Sequence, residues 1–203
     1  MGSWERFAQI PLAETDANSL LFPSGSSRTI YYTNSDPSPN TWDVTTGQPL
    51  DNQFDPAWRG NNAAFSPDGG LLVSVNSEGE VIFADFKRRR MLGREKAHQA
   101  NGRAVAFSPD GRLLVTGAEN IILWDAATRR KITTIPYPSI VWSAAFSPDG
   151  RWLVTTHGDG SIRVWDAVER RHAVGFNEHS DSVRAVAWSR DGKQFASAGE
   201  AAR

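Results

Sequence analysis

Short apolar runs alternate with polar turns along this chain, and none of useful length keeps the three-to-four-residue beat of an amphipathic helix. Residues 104–107 (AVAF) and 113–117 (LLVTG) flank a Ser-Pro-Asp-Gly turn. Pro suits the second position of a type I turn and Gly takes the positive φ after it, so the stretch predicts a tight β-hairpin. The β-branched, apolar runs IILW (121–124) and SIRVW (161–165) predict a third strand, and the weaker KITTIP, RHAVGF and QPLDNQF predict a fourth. The first strand of each group is built from small residues and one aromatic, as in Ala104, Val105, Ala106 and Phe107. Small residues fit where strands from several sheets crowd toward an axis.

The pattern repeats. The aromatic residue ahead of each turn falls at Phe65, Phe107, Phe146 and Trp188, in steps of 42, 39 and 42. SPDG follows at 66–69, 108–111 and 147–150, SRDG at 189–192, and a degenerate FPSG begins at Phe22. A second marker, Trp-Asp, occurs at Trp42-Asp43, Trp124-Asp125 and Trp165-Asp166, with Ala84-Asp85 in the intervening slot, in steps of 42, 40 and 41. Two markers sharing one period imply one four-stranded unit used over and over.

Composition narrows the function classes. A net charge of −1 over 203 residues favours neither nucleic acid nor an anionic membrane, and no apolar stretch is long enough to span a bilayer. The absence of cysteine removes disulfides, thiolate metal sites and thiol nucleophiles. Four histidines without helical i, i+4 spacing predict no zinc site, and there is no nucleophile elbow, P-loop or dinucleotide fingerprint. A Ser-His-Asp group needs no set spacing, so the sequence alone leaves that one open. The expectation is a soluble, cytoplasmic, non-enzymatic chain without cofactor or metal.

Period, turn and Trp-Asp ending together resemble the WD-repeat family of β-propellers, whose blades are four-stranded sheets of about 40–45 residues. The resemblance covers nearly the whole chain, most closely in the third and fourth repeats. It implies an all-β fold in one partial propeller domain over 1–203. A fourth-strand-like segment at 4–12 is followed by repeats at about 18–55, 61–97, 103–137 and 142–178, and by a half repeat at 183–199. The last blade lacks a Trp-Asp strand, so the expected architecture is an incomplete propeller, an open arc or part of a larger ring. Such an arc is expected to self-associate or to be completed by further blades.

In this family a His before the first strand, a Ser/Thr in the second, an Asp in the next turn and the third-strand Trp pin each blade. Carried over, these are His98, Thr116 and Trp124, with Glu119 in place of the Asp. They continue as Thr155, Asp159 and Trp165, with Tyr137 where the His belongs, and as His179 and Ser197. Their implied role is structural. HGDGS at 157–161 reads as a turn rather than a metal or phosphate loop.

Two surfaces remain as candidates. After Trp-Asp, where the family commonly has Thr-Gly, this chain carries Lys87, Arg88, Arg89 and Arg90; then Arg129, Arg130 and Lys131; then Arg170 and Arg171. This rim reads as a mixed-charge solvated face, with anion or nucleic-acid binding as the sharper, less expected alternative. By resemblance, partners meet the opposite face, near the axis. The matching positions are Asn18, Asn61, Arg103, Trp142 and Arg184, with Arg59, Asn101, Ile140 and Ser182 two residues earlier. Trp and Arg are the residue types that anchor interfaces. The expected function is a protein-interaction scaffold or sensor module that docks protein partners on a propeller rim.

Overall fold

The computed structural model describes residues 19–21, 29–33, 41–50 and 60–200. The strand expected at 4–12, and the candidates Asn18 and Arg59, lie outside the described residues. Four antiparallel meanders of four strands are followed by one of two. The first comprises β1 (Ser19–Leu21), β2 (Thr29–Thr33), β3 (Thr41–Asp43) and β4 (Gln48–Pro49). The second is β5 (Asn62–Phe65), β6 (Leu71–Val75), β7 (Glu80–Asp85) and β8 (Arg90–Lys96). The third is β9 (Ala104–Phe107), β10 (Leu113–Gly117), β11 (Asn120–Asp125) and β12 (Arg130–Pro136). The fourth is β13 (Val141–Phe146), β14 (Trp152–His157), β15 (Ile162–Asp166) and β16 (Arg171–Phe176). The last is β17 (Val183–Trp188) with β18 (Phe195–Gly199). No helix occurs among the described residues, and the first strands pack in series, β1 on β5, β9, β13 and then β17. This is the blade arrangement of an open β-propeller.

The core lies between blades rather than within them. Val73, Val75, Val81 and Phe83 of the second blade close against Leu114, Ile122 and Trp124 of the third. Val115, Ile121 and Leu123, pointing from the other side of the third blade, close against Val141, Leu153 and Trp165 of the fourth. Successive strand residues point to opposite faces, and here both faces are covered. That is why the second and third strands are nearly continuous apolar runs. Phe83 meets Trp124 edge to face at 5.6 Å.

Local chemistry closes each hairpin. In the SPDG turn Ser108 Oγ donates to Asp110 Oδ1 at 2.6 Å and accepts the Leu113 amide at 2.9 Å, with Gly111 at φ +71°. The turns at Ser66 and Ser147 have the same bonds. A bulge recurs in the second, third and fourth blades where the fourth strand faces the end of the third, skipping Leu92, Ile132 and Ala173. Bulges sharpen the strand twist there. Gly79 and Gly160, at φ +77° and +82°, lie so close to the carbonyls of His98 and His179 that a Cβ would collide with them. The close approach lets the His98 amide donate to Gly79 O at 2.9 Å, joining one blade to the next.

A buried polar relay runs through the third blade. Trp124 Nε1 donates to Thr116 Oγ1 at 2.9 Å, and Thr116 Oγ1 lies 2.9 Å from His98 Nε2. The far nitrogen, His98 Nδ1, faces Glu119 at 3.9 Å. With the proton on Nδ1, the indole donates to Thr116 and Thr116 donates to His98 Nε2, while Nδ1 faces the carboxylate without a hydrogen-bond partner among the described residues. Glu119 also accepts the amides of Gln99 and Ala100.

The fourth blade solves the same problem differently. Trp165 Nε1 donates to Thr155 Oγ1 at 2.9 Å, but the imidazole on Thr155 comes from His157, 2.9 Å away at the end of β14. Tyr137, at the expected His position, stacks on that ring at 3.8 Å and reaches Ser161 Oγ through its hydroxyl. Asp159 accepts the amide and hydroxyl of Ser161, so it shapes the turn and forms no hydrogen bond to the imidazole. His179 Nε2 and Ser197 Oγ sit 2.9 Å apart in the last, two-stranded blade.

Burial holds both core imidazoles neutral. It pushes His157 down to about 4 and lowers His98 as well, against the opposing pull of Asp159 and Glu119 respectively. In the unfolded chain a histidine takes its proton near pH 6.5, so the unfolded state binds more protons below that value. The associated stability is full above pH 6.5 and drains as pH falls toward 4, on the order of 2–3 kcal/mol for His157 by pH 4.5. The turn carboxylates Asp68, Asp110 and Asp149, held below their usual range first by their serine hydroxyls, add losses only under about pH 4. Urea unfolding at pH 7 and pH 4.5 is therefore expected to show a marked drop for the native chain. His157→Gln should be less stable at pH 7 but lose less between the two pH values; equal losses would remove His157 as the source.

Candidate partner-docking site

The first strands begin on one face of the arc, close to one another, because their small side chains allow neighbouring blades to approach. Arg103, just ahead of β9, is held by its amide bond to Gly117 O at 2.9 Å. Trp142 and Arg184 are the second residues of β13 and β17. The guanidinium carbon of Arg103 lies 3.9 Å from the centroid of the Trp142 ring, and that of Arg184 lies 3.7 Å from it. Two guanidinium groups this near one centroid would overlap if they shared a face, so they sandwich the indole. Each such stack contributes about 0.5–2 kcal/mol and fixes the side chains it joins.

Beside the sandwich is a cavity of about 420 Å³, bordered by Asn62, Arg103, Trp142, Ser143 and Arg184. Arg103 Nε and Trp142 Nε1 are buried without a hydrogen-bond partner among the described residues. Burial, and then the charge of Arg184, pull the Arg103 pKa below its usual value. Arg184 instead donates to Glu200 Oε1 at 2.6 Å, a pair in which both side chains remain substantially exposed.

The structure thus brings Arg103, Trp142 and Arg184 together and leaves the other axial candidates aside. Asn61 donates to Asn101 Oδ1 at 2.7 Å. The Ser182 hydroxyl bonds Gly158 O at 3.2 Å. Ile140 is exposed at the edge of the same face. Asn62 and Ser143 were missed by sequence reasoning, since a polar residue at the start of a strand carries no signal until neighbouring blades are placed around it.

The opposite rim is less basic than its sequence. Arg88 pairs with Asp85 at 2.9 Å, Lys131 with Glu95 at 2.8 Å and Arg171 with Glu169 at 2.6 Å. Lys87 Nζ reaches Asp68 O at 3.4 Å. Arg90 and Arg130 open the fourth strands β8 and β12. A groove of about 630 Å³ between the third and fourth blades carries Asp110, Asp149, Asp166 and Glu169 against Arg151. Carboxylates therefore dominate the groove that the basic runs flank.

Those runs do have one unusual backbone feature. Arg89, Arg129 and Arg170 hold φ at +51°, +59° and +56°, where the first blade has Gly47 at +67°. Left-handed backbone costs a non-glycine residue about 1–2 kcal/mol. Part of that would be offset by the greater unfolded-state freedom of glycine. Arg129→Gly and Arg170→Gly are expected to raise stability by about 0.5–1 kcal/mol each, with the alanine variants neutral or worse. Denaturant midpoints at pH 7 measure this, and a stabilising alanine would mean that strain is not the cause.

The model of the family described as "WD domain, G-beta repeat" matches residues 91–125, 129–166 and 171–201, just over half of the chain. Each match begins within a residue of the start of one blade's fourth strand and, in the first two cases, ends at the Trp-Asp of the next. No curated protein sequence matches the chain. Among solved structures, U3-55K superposes with a TM-score of 0.59 at 23% identity, covering 61% of this chain and 41% of that one. The RRP9 WD40 repeats give 0.59 and 23%, covering 61% and 40%. The matched region thus spans well under two thirds of either structure, and at this identity the likeness speaks for the fold alone. Repeat period, blade topology and family match agree: the chain belongs to the WD domain, G-beta repeat family.

Proposed function

We propose that this chain is a non-catalytic protein-interaction platform that docks a peptide or domain on its axial face through Trp142, Arg103 and Arg184. The observation that carries this reading is the convergence of the three side chains from successive blades on one cavity. An aromatic anchor held rigid by stacking loses little side-chain freedom on binding, which is how a small contact area yields affinity. The family resemblance points the same way, since WD repeats generally serve protein interaction.

The test is to pan displayed random peptides against the purified chain. Selected peptides should lose most of their affinity for Trp142→Ala, about tenfold or more, and keep it for Arg129→Ala. Peptides indifferent to Trp142 would sink the axial site.

A second reading, anion or nucleic-acid binding along the basic rim, draws support from the three left-handed arginines. Its weakness is the number of cations already paired with carboxylates on that rim. A labelled single-stranded RNA should then bind at 50 mM salt and lose affinity steeply by 200 mM. No binding at low salt would exclude it.

Self-association is the third element of the proposal. All of β16 is exposed, including Val174 and Phe176, and β18 pairs on one side only among the described residues. An uncovered strand edge is a template for another strand. Light scattering is expected to report dimers or larger species, and a monodisperse monomer would count against it.

A further inference from the structure

The axial cavity has a charge imbalance that the described residues lining it do not resolve. Arg103 and Arg184 border it, the polar groups beside them are Asn62 and Ser143, and no carboxylate is among its lining residues. A guanidinium presents five donors in a planar fork and accepts nothing, so each needs oxygen partners. Arg184 finds one in Glu200. Arg103 finds none for its buried Nε among the described residues, and it sits near a second cation whose charge works against its own. The groove on the opposite rim has the reverse character, with four carboxylates and one arginine among its lining residues.

We propose that the Arg103–Trp142–Arg184 sandwich is a receptor for a carboxylate side chain of an acidic peptide, seated in the axial cavity against Arg103. The proposal deepens the docking reading given above and rests on it. The indole holds both guanidinium planes in place, so an incoming carboxylate meets preorganised donors rather than mobile side chains. Asn62 and Ser143 add polar, uncharged groups to the border of the same cavity. Glu200 is the internal precedent, since its carboxylate already accepts a hydrogen bond from Arg184 at 2.6 Å. That pair is exposed enough to exchange, so Glu200 acts as a built-in competitor for an external acid. The fork itself accepts carboxylate and phosphate alike, and carboxylate is assigned because the acid already paired at this site is that of Glu200.

The experiment titrates the purified chain with a blocked hexaglutamate peptide at 50 mM salt, with hexaglutamine and inorganic phosphate as parallel probes. Hexaglutamate should bind and hexaglutamine should not. Arg103→Gln should weaken hexaglutamate about tenfold, and Glu200→Gln should tighten it about threefold by removing the competitor. Arg129→Gln on the rim should leave it unchanged. The gain from Glu200→Gln is informative even if Arg103→Gln disturbs folding, because Glu200 is a surface residue and a damaged fold does not bind more tightly.

Equal binding by the native chain, Arg103→Gln and Glu200→Gln would overturn the proposal. So would loss of binding in Arg129→Gln, or phosphate binding more tightly than hexaglutamate. The two readings also fail separately. If panned peptides depend on Trp142 but show no enrichment of Asp or Glu, docking stands and the carboxylate receptor falls. If no peptide depends on Trp142, both fall.

Discussion

Everything in this molecule depends on burying both faces of thin sheets against their neighbours. A lone four-stranded meander would leave both faces in water, and its second and third strands here are apolar on both sides. Val115, Ile121 and Leu123 point one way while Leu114, Ile122 and Trp124 point the other, and each set is buried by a different neighbour. A fully buried tryptophan such as Trp124 contributes on the order of 4–6 kcal/mol from area alone. That gain exists only when adjacent blades are in place, so stability is a property of pairs of blades.

The buried polar relays follow from the same packing. The interface that hides Trp124 also hides its indole N–H, which would cost about 1–3 kcal/mol unsatisfied. Thr116 accepts it, and His98 Nε2 takes the Thr116 hydroxyl in turn. The fourth blade meets the same demand with an imidazole from a different place in the chain, because the requirement is for an acceptor at Thr155, not for a residue at a given sequence position. His157 sits at the strand end and Tyr137 fills the volume vacated ahead of the first strand. In exchange both blades hold a neutral imidazole that acid will charge.

The axial site is the wedge geometry read at its narrow end. Alanines at Ala104, Ala106, Ala144 and Ala145 let the first strands crowd, and the residues at their starts are then forced into contact across blades. Arg103, Trp142 and Arg184 occupy equivalent positions 39 and 42 residues apart and become one stack. The rim at the wide end diverges. Its arginines and lysines fan outward, several find carboxylates nearby, and the groove left between blades is acidic.

Much of the fold was legible because its determinants are local. Ser-Pro-Asp-Gly dictates a turn wherever it occurs, and alternation around it dictates a hairpin. The recurrence of Phe107 and Trp124 at one period dictates a row of equivalent sheets. The sandwich at Trp142 was legible only as a set of candidate positions, since nothing local says that Asn61 will turn to Asn101 while Arg103 turns to the indole. His157 was misjudged for the same reason: beside a Gly-Asp-Gly turn it looks like part of the loop, and only a packed neighbour shows that it caps the Thr155 relay. The sequence by itself thus determined turns, strand order and repeat, which are set by backbone sterics within a few residues. Tertiary structure decided which groups meet across blades, Asn61 with Asn101 and the two arginines with Trp142, because those outcomes depend on atoms about forty residues away in the chain.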